Sequence, residues 1–143
     1  MDADCVFCEV LTGRRPGHLV VDEPGVAAFL DARPVFKGHV LVVPRQHAAT
    51  LAEVTDGQAA DLFGAARRVA LALERALPCD GAFVAVNNRV SQSVAHVHVH
   101  VVPRRFKDGL RGFFWPRQRY DSDAEAADYA ERVRAALAAS ALL

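Results

Sequence analysis

The sequence carries no surplus of either charge, with 17 Lys and Arg against 17 Asp and Glu. That absence argues against a global field for wrapping nucleic acid or lying on acidic lipid. Any anionic ligand has to be held locally. No apolar run approaches the roughly 20 residues of a membrane span, and the acidic start MDADC lacks the basic and apolar regions of a signal peptide. A cytoplasmic protein with neither nucleic acid nor membrane as partner is expected. Cysteine is scarce and odd in number, three in 143 residues, which argues against a disulfide framework and for reduced thiols. The length leaves no room for two ordinary domains, so one domain over residues 1–143 is expected.

What is present is patterned. Val6 to Leu11 reads as a short helix or turn, and TGRRPG at residues 12–17 as loop chemistry. HLVVDEPG and VAAFLDARP read as two short strands about the turn residues Asp22 to Gly25, and HVLVVP at residues 39–44 as a buried third strand that Pro44 ends. Between Asp56 and Leu77, the apolar residues Leu62, Val69, Leu73 and Leu77 recur at helical spacing, which predicts the longest helix. After a break at Pro78 to Gly81, AFVAVN and AHVHVHVVP read as two further strands joined by NRVSQSV. DAEAADYAERVRAALAA, led by Asp residues, predicts a C-terminal helix. This order is not a regular βαβ alternation, so the class is α+β with an antiparallel five-stranded sheet.

The densest chemical signal is HVHVHVV at residues 96–102, which uses three of the six histidines. Strand alternation places His96, His98 and His100 on one side and the valines on the other. Residues two apart on a strand lie about 6.7 Å apart, so the outer imidazoles are about 13 Å apart and a metal with bonds of about 2.1 Å would hold all three only if the strand bent sharply. Two readings stay open at this point: an imidazole row around a phosphate, or a division of labour in which one outer histidine joins a metal built from elsewhere. Imidazole suits phosphoryl chemistry because its pKa of about 6.5 keeps a neutral nucleophile available beside protonated donors. CVFC at Cys5 and Cys8 has zinc-ligand spacing.

The motif at residues 96–102 resembles the signature of the histidine-triad nucleotide hydrolases and transferases. QSV at residues 92–94, KGHVLVVPRQH at residues 37–47 and FLD at residues 29–31 support it in the order that family uses. The resemblance covers about Cys5 to Arg105, a core of about 5–105 with a C-terminal extension at 106–143. It implies that His98 attacks the α-phosphorus to form a nucleotidyl-histidine, its other nitrogen held by the His96 carbonyl, and that water then releases a nucleoside monophosphate. His100 and His39 would orient phosphate oxygens and hold protons. Ser93 would donate to a phosphate oxygen or the leaving group, and Gln92 and Asn87 would line the phosphate path. Asp31 would bind the ribose hydroxyls, and the base would lie among Val6, Phe7, Val10, Phe29 and Leu41. The substrate implied is a purine nucleotide or dinucleoside polyphosphate; because the base-side residues are all apolar, base identity stays unread.

The family branch with an N-terminal cysteine pair completes a structural zinc site from the histidine after PRQ and the first triad histidine. Here these are His47 and His96, beside Cys5 and Cys8. Cys79 has no partner and reads as incidental. Family members commonly form homodimers whose C-terminal residues reach the partner's site, which makes Trp115 a candidate for that role. One departure stands out: Ser91 occupies the position before QSV where resembling proteins usually have glycine, removing an easily adopted positive φ. A nucleotidyltransferase sharing the same intermediate, a non-catalytic nucleotide-binding module and a metallohydrolase with catalytic zinc are the competing readings. Acceptor competition, binding without turnover, and chelator-sensitive catalysis in a well-folded protein are their respective marks.

Overall fold

A computed structural model describes residues 4–110 and 118–139 of the chain. The elements are α1 (Val6–Leu11), β1 (Leu19–Asp22), β2 (Val26–Leu30), β3 (Val40–Pro44), a 3-10 turn (Leu51–Glu53), α2 (Asp56–Ala76), β4 (Gly81–Val86), β5 (Val99–Arg104) and α3 (Asp123–Ala139). The strands form a single antiparallel sheet in the order β1-β2-β3-β5-β4. Residues Met1–Asp108 form one compact unit and Gly109–Leu143 a second. In the second, α3 starts where the Ser122 hydroxyl accepts from the Glu125 amide, satisfying an otherwise unpaired first-turn N–H. Trp115 lies outside the described residues.

Alternation along each strand divides the first unit into two cores. Val26 and Ala28, Val40 and Val42, and Val97, Val99 and Val101 face α2, which buries Leu62, Ala65, Ala66, Val69 and Leu73 against them. Each large aliphatic side chain buried there contributes about 1.5–3 kcal/mol. The α2 start is set by a capping box: the Gln58 amide donates to the Thr55 hydroxyl and the Thr55 amide to the Gln58 side chain. Ala27, Phe29, Leu41 and Val43 point the other way and meet Cys5, Phe7 and Cys8 of the α1 region. Gly38, at φ 101°, fits the turn ahead of β3 because a side chain there would meet Leu77 at 2.5 Å.

The histidine stretch departs from a single regular strand. The β5 ladder begins only at Val99, whose partner on β3 is Val42. Two backbone facts explain the late start. Pro44, which ends β3, has no N–H to offer, and the Val97 amide donates to the Ala48 carbonyl instead. His96 and His98 thus lie on an extended approach to the strand, and only His100 sits within the ladder. The alternation nevertheless persists, with Val97 and Val99 toward α2 and the histidines toward Phe7.

Candidate functional site

At one end of the histidine stretch, four potential ligands converge. The first turn of α1 holds Cys5 and Cys8 beside each other, the segment after β3 brings His47, and His96 approaches from the far side. Their ligand atoms all lie within 4.8 Å of one another. Cys5 Sγ is 3.4 Å and Cys8 Sγ 3.6 Å from His96 Nδ1, and Cys8 Sγ is 3.5 Å from His47 Nδ1. A tetrahedral zinc with bonds of about 2.3 Å to sulfur and 2.05 Å to nitrogen would set unlike ligand atoms about 3.6 Å apart. The spacing fits such an ion. His96 Nε2 donates to the Pro44 carbonyl at 2.8 Å, which leaves Nδ1 as the lone pair toward the thiols. Burial, ahead of the other contributions, pushes the His96 pKa down, favouring the neutral form a metal ligand requires.

Two residues on, His98 uses the opposite nitrogen. Its Nδ1 donates to the His96 carbonyl at 2.7 Å, which leaves Nε2 as its lone-pair nitrogen. His98 forms part of a cleft of about 890 Å³ with His100, Ser93, Asp31, Val6, Phe7, Val10, Phe29 and Leu41. The His98 and His100 rings are 4.8 Å apart. Behind His100, the Val35 amide donates to His39 Nδ1 at 3.2 Å, and His39 Nε2 lies 3.0 Å from His100 Nδ1. These contacts fix the tautomers in series: neutral His39 carries its proton on Nε2 and gives it to His100 Nδ1, so His100 presents an Nε2–H. Burial, reinforced by His98 and His39, pushes the His100 pKa down to about 4, and burial also lowers that of His39. Both are neutral near pH 7. Asp31 accepts from the Arg33 amide through Oδ1 at 2.8 Å, while Oδ2 lies 3.6 Å from His39 Nδ1.

Phe7 joins the two regions. Its ring packs edge-on against Phe29 at 5.3 Å, His98 at 5.2 Å and His96 at 5.9 Å. Cys8, with Cys5 at the helix N-cap, therefore shares α1 with the cleft residues Val6, Phe7 and Val10. His39 packs behind His100 and does not line the cleft. Asn87 and Gln92, expected on the phosphate path, are not part of the lining either. Gln92 is committed to backbone: its amide donates to the Ala49 and Val94 carbonyls at 2.7 and 2.9 Å and accepts from the Arg89 amide at 2.9 Å. It pins the loop that carries Ser93. Asn87 is exposed. Cys79 donates to the Leu73 carbonyl at 3.3 Å and borders a separate cavity of about 550 Å³ with Phe36, Lys37 and Arg105.

Two arginines that the sequence pattern did not mark, Arg15 and Arg33, also line the cleft, together with His18. The available signal was that TGRRPG directly follows the short helix carrying Val6 and Val10, so its first charges had to emerge beside the base-side residues.

An antiparallel sheet that sets an alternating histidine stretch between a cysteine–histidine cluster and a cleft is the architecture of a histidine-triad protein. Residues 12–107 match the HIT domain family, and the chain belongs to it. A solved Streptococcus mutans protein is 34% identical with a TM-score of 0.84, covering 96% of this chain and 87% of its own. A zinc-bound histidine-triad family protein from Mycobacterium smegmatis is 33% identical with a TM-score of 0.73, covering 96% of this chain and 97% of its own. Adenosine 5′-monophosphoramidase of Saccharomyces cerevisiae is 33% identical over 125 residues, 86% of this chain and 77% of that protein.

Proposed function

We propose that this chain is a nucleotide hydrolase that cleaves at the α-phosphate of a nucleoside phosphoanhydride or phosphoramidate through a nucleotidyl intermediate on His98. The observation that carries the reading is the 2.7 Å bond from His98 Nδ1 to the His96 carbonyl. It commits one nitrogen and leaves Nε2 unprotonated in a residue that lines the cleft beside Ser93 and His100. In the first step Nε2 attacks the α-phosphorus. A P–N bond forms, the bond to the leaving group breaks, and the leaving atom takes a proton from the Ser93 and His100 side. In the second step water attacks the same phosphorus and returns a proton to that side. The P–N bond breaks, and nucleoside monophosphate departs from neutral His98. Two moderate displacements replace one difficult one. Asp31 would accept from the ribose hydroxyls, and Val6, Phe7, Val10, Phe29 and Leu41 would enclose the base.

Zinc is proposed at Cys5, Cys8, His47 and His96, whose four ligand atoms lie together; four protein donors would close its shell and leave no position for substrate. When bound, it would supply a structural link between α1 and the His96 segment. The yeast relative's name makes a purine nucleoside phosphoramidate the first substrate class to assay, with dinucleoside polyphosphates next. A cytoplasmic homodimer is the proposed working state, supported by β4, a terminal strand of the sheet with Val84 41% exposed. Light scattering tests it. The mechanism is tested by quenching turnover in acid-free denaturant and weighing the intact chain. Wild type should carry one nucleotidyl mass that maps to His98; an adduct on any other residue refutes the assignment. Competition by added acceptors separates hydrolysis from transfer.

A further inference from the structure

The residues assigned to the base are apolar, yet the cleft brings a tethered cation beside them. Arg15 lines the same cleft as Val6, Phe7 and Val10 and is tied to Glu9 twice. Its backbone amide donates to the Glu9 carbonyl at 3.1 Å, and its Nε donates to Glu9 Oε2 at 2.7 Å. The Arg14 amide adds a third bond to the Glu9 carbonyl at 2.9 Å. Gly17 holds this loop close to α1: a Cβ there would lie 2.5 Å from Val10 Cγ1, itself part of the cleft. Glu9 takes Nε and leaves both terminal NH₂ groups of the guanidinium without a protein partner among the described residues. Arg33, the other arginine of the rim, has no comparable side-chain tether among the described residues.

We propose that Arg15 reads the edge of the base, so that the chain prefers nucleotides of 6-keto purines, guanine or hypoxanthine, over those of adenine. This rests on the nucleotide reading above. Apolar walls engage the two faces of a purine and leave its edges to polar groups. A guanidinium only donates. Guanine presents N7 and O6 side by side as acceptors, which the two terminal NH₂ groups can meet together, whereas adenine pairs N7 with a donating amino group. Adenine thus offers one acceptor and sets donor against donor. With Arg15 52% and Glu9 30% exposed, the tether to Glu9 restricts the fork without fixing it, and so lowers rather than removes the cost of ordering the side chain on binding.

The test is direct competition between guanosine and adenosine 5′-phosphoramidates bearing the same amine, for wild type, Arg15→Ala and Arg15→Lys. Wild type should favour guanosine by about tenfold in kcat/KM, carried by KM. Arg15→Ala should abolish the ratio, and Arg15→Lys should lose most of it, because one ammonium does not span both acceptors in a fixed plane. Equal rates, an adenosine preference, or a guanosine preference that survives Arg15→Ala overturns the proposal. Calorimetric binding of GMP and AMP reads the same contact without chemistry. Tighter GMP binding that Arg15→Ala abolishes upholds the base contact even in a protein that turns over neither substrate, which would overturn the hydrolase reading alone. Equal binding of the two overturns the base contact.

Discussion

His96 and His98 are two residues apart and point to the same side of the backbone, but each gives a different ring nitrogen to a carbonyl. His96 spends Nε2 on Pro44 and turns Nδ1 to two thiols; His98 spends Nδ1 on His96 and keeps Nε2 for the cleft. Both imidazoles are buried, at 0% and 2% exposure, but His96 sits among potential ligands and His98 forms part of a cavity wall. Backbone acceptors, rather than the histidines' own chemistry, sort them into two tasks. The same series continues at His100, where a neighbouring imidazole at 3.0 Å settles which nitrogen keeps its proton.

If His96 and His98 serve separate ends, substitution at one should leave the other's task intact. His98→Ala should lower turnover by at least ~10³-fold, the scale on which removal of a nucleophile acts, while metal content by elemental analysis stays at that of wild type. A matching loss of metal would merge the two regions into one site. The converse variant, Cys5→Ser with Cys8→Ser, should lose the metal and about 3 kcal/mol or more of stability, roughly 10 °C in Tm for a chain of this size. Its turnover should fall through KM, because Val6, Phe7 and Val10 share α1 with the lost ligands. Stoichiometric zinc retained in the double variant would refute the ligand set.

Much of this was legible from residue order because alternation is a local property. The valines at 97, 99 and 101 declared the core face, and the cysteine spacing with His47 and His96 marked the cluster once family resemblance supplied the pairing. The late start of β5 was not legible, since it depends on Pro44 meeting the stretch across the sheet and on Ala48 capturing the Val97 amide. Ala65 and Ala66, fully part of the α2 core, carry little hydrophobic signal; their small size matters only once the helix lies on the strands. Gln92 looked like a ligand contact because its sequence position suits one, whereas three hydrogen bonds to backbone consume its amide. Arg15 stayed hidden in a loop pattern because its position is set by bonds back to Glu9.

Acid sharpens the contrast at a smaller scale. His100 and His39 are held below the ordinary 6.5, His100 at about 4, with burial the leading cause for both. Between these values the unfolded chain binds more protons than the folded one, so stability is full above about pH 6.5 and is lost as pH falls toward 4. With zinc bound, the cluster would add its own acid loss, because metal ligands must be deprotonated. His100→Gln separates the two: denaturant unfolding from pH 4.5 to 8 should show a shallower acid slope in the variant, by less than about 1.4 kcal/mol per pH unit, the limit for one proton. An unchanged slope would assign the whole acid loss to the metal end.

The smallest effect lies in the loop that leads into both regions. Ser91 holds φ at 60° and Arg89 at 69°, so two non-glycine residues in three adopt the left-handed conformation. Each such residue costs about 1–2 kcal/mol. The strain persists because Gln92 closes the loop on itself, accepting from Arg89 and donating to Ala49 and Val94. Ser91→Gly removes the steric cost but gives the unfolded chain more freedom, worth about 0.4–1 kcal/mol against folding. Relief exceeds that loss, so the variant should gain about 0.5–1 kcal/mol in denaturant unfolding with its metal content unchanged. A loss of stability would mean that the Ser91 side chain, exposed as it is, supports the loop in a way its backbone conformation alone does not explain.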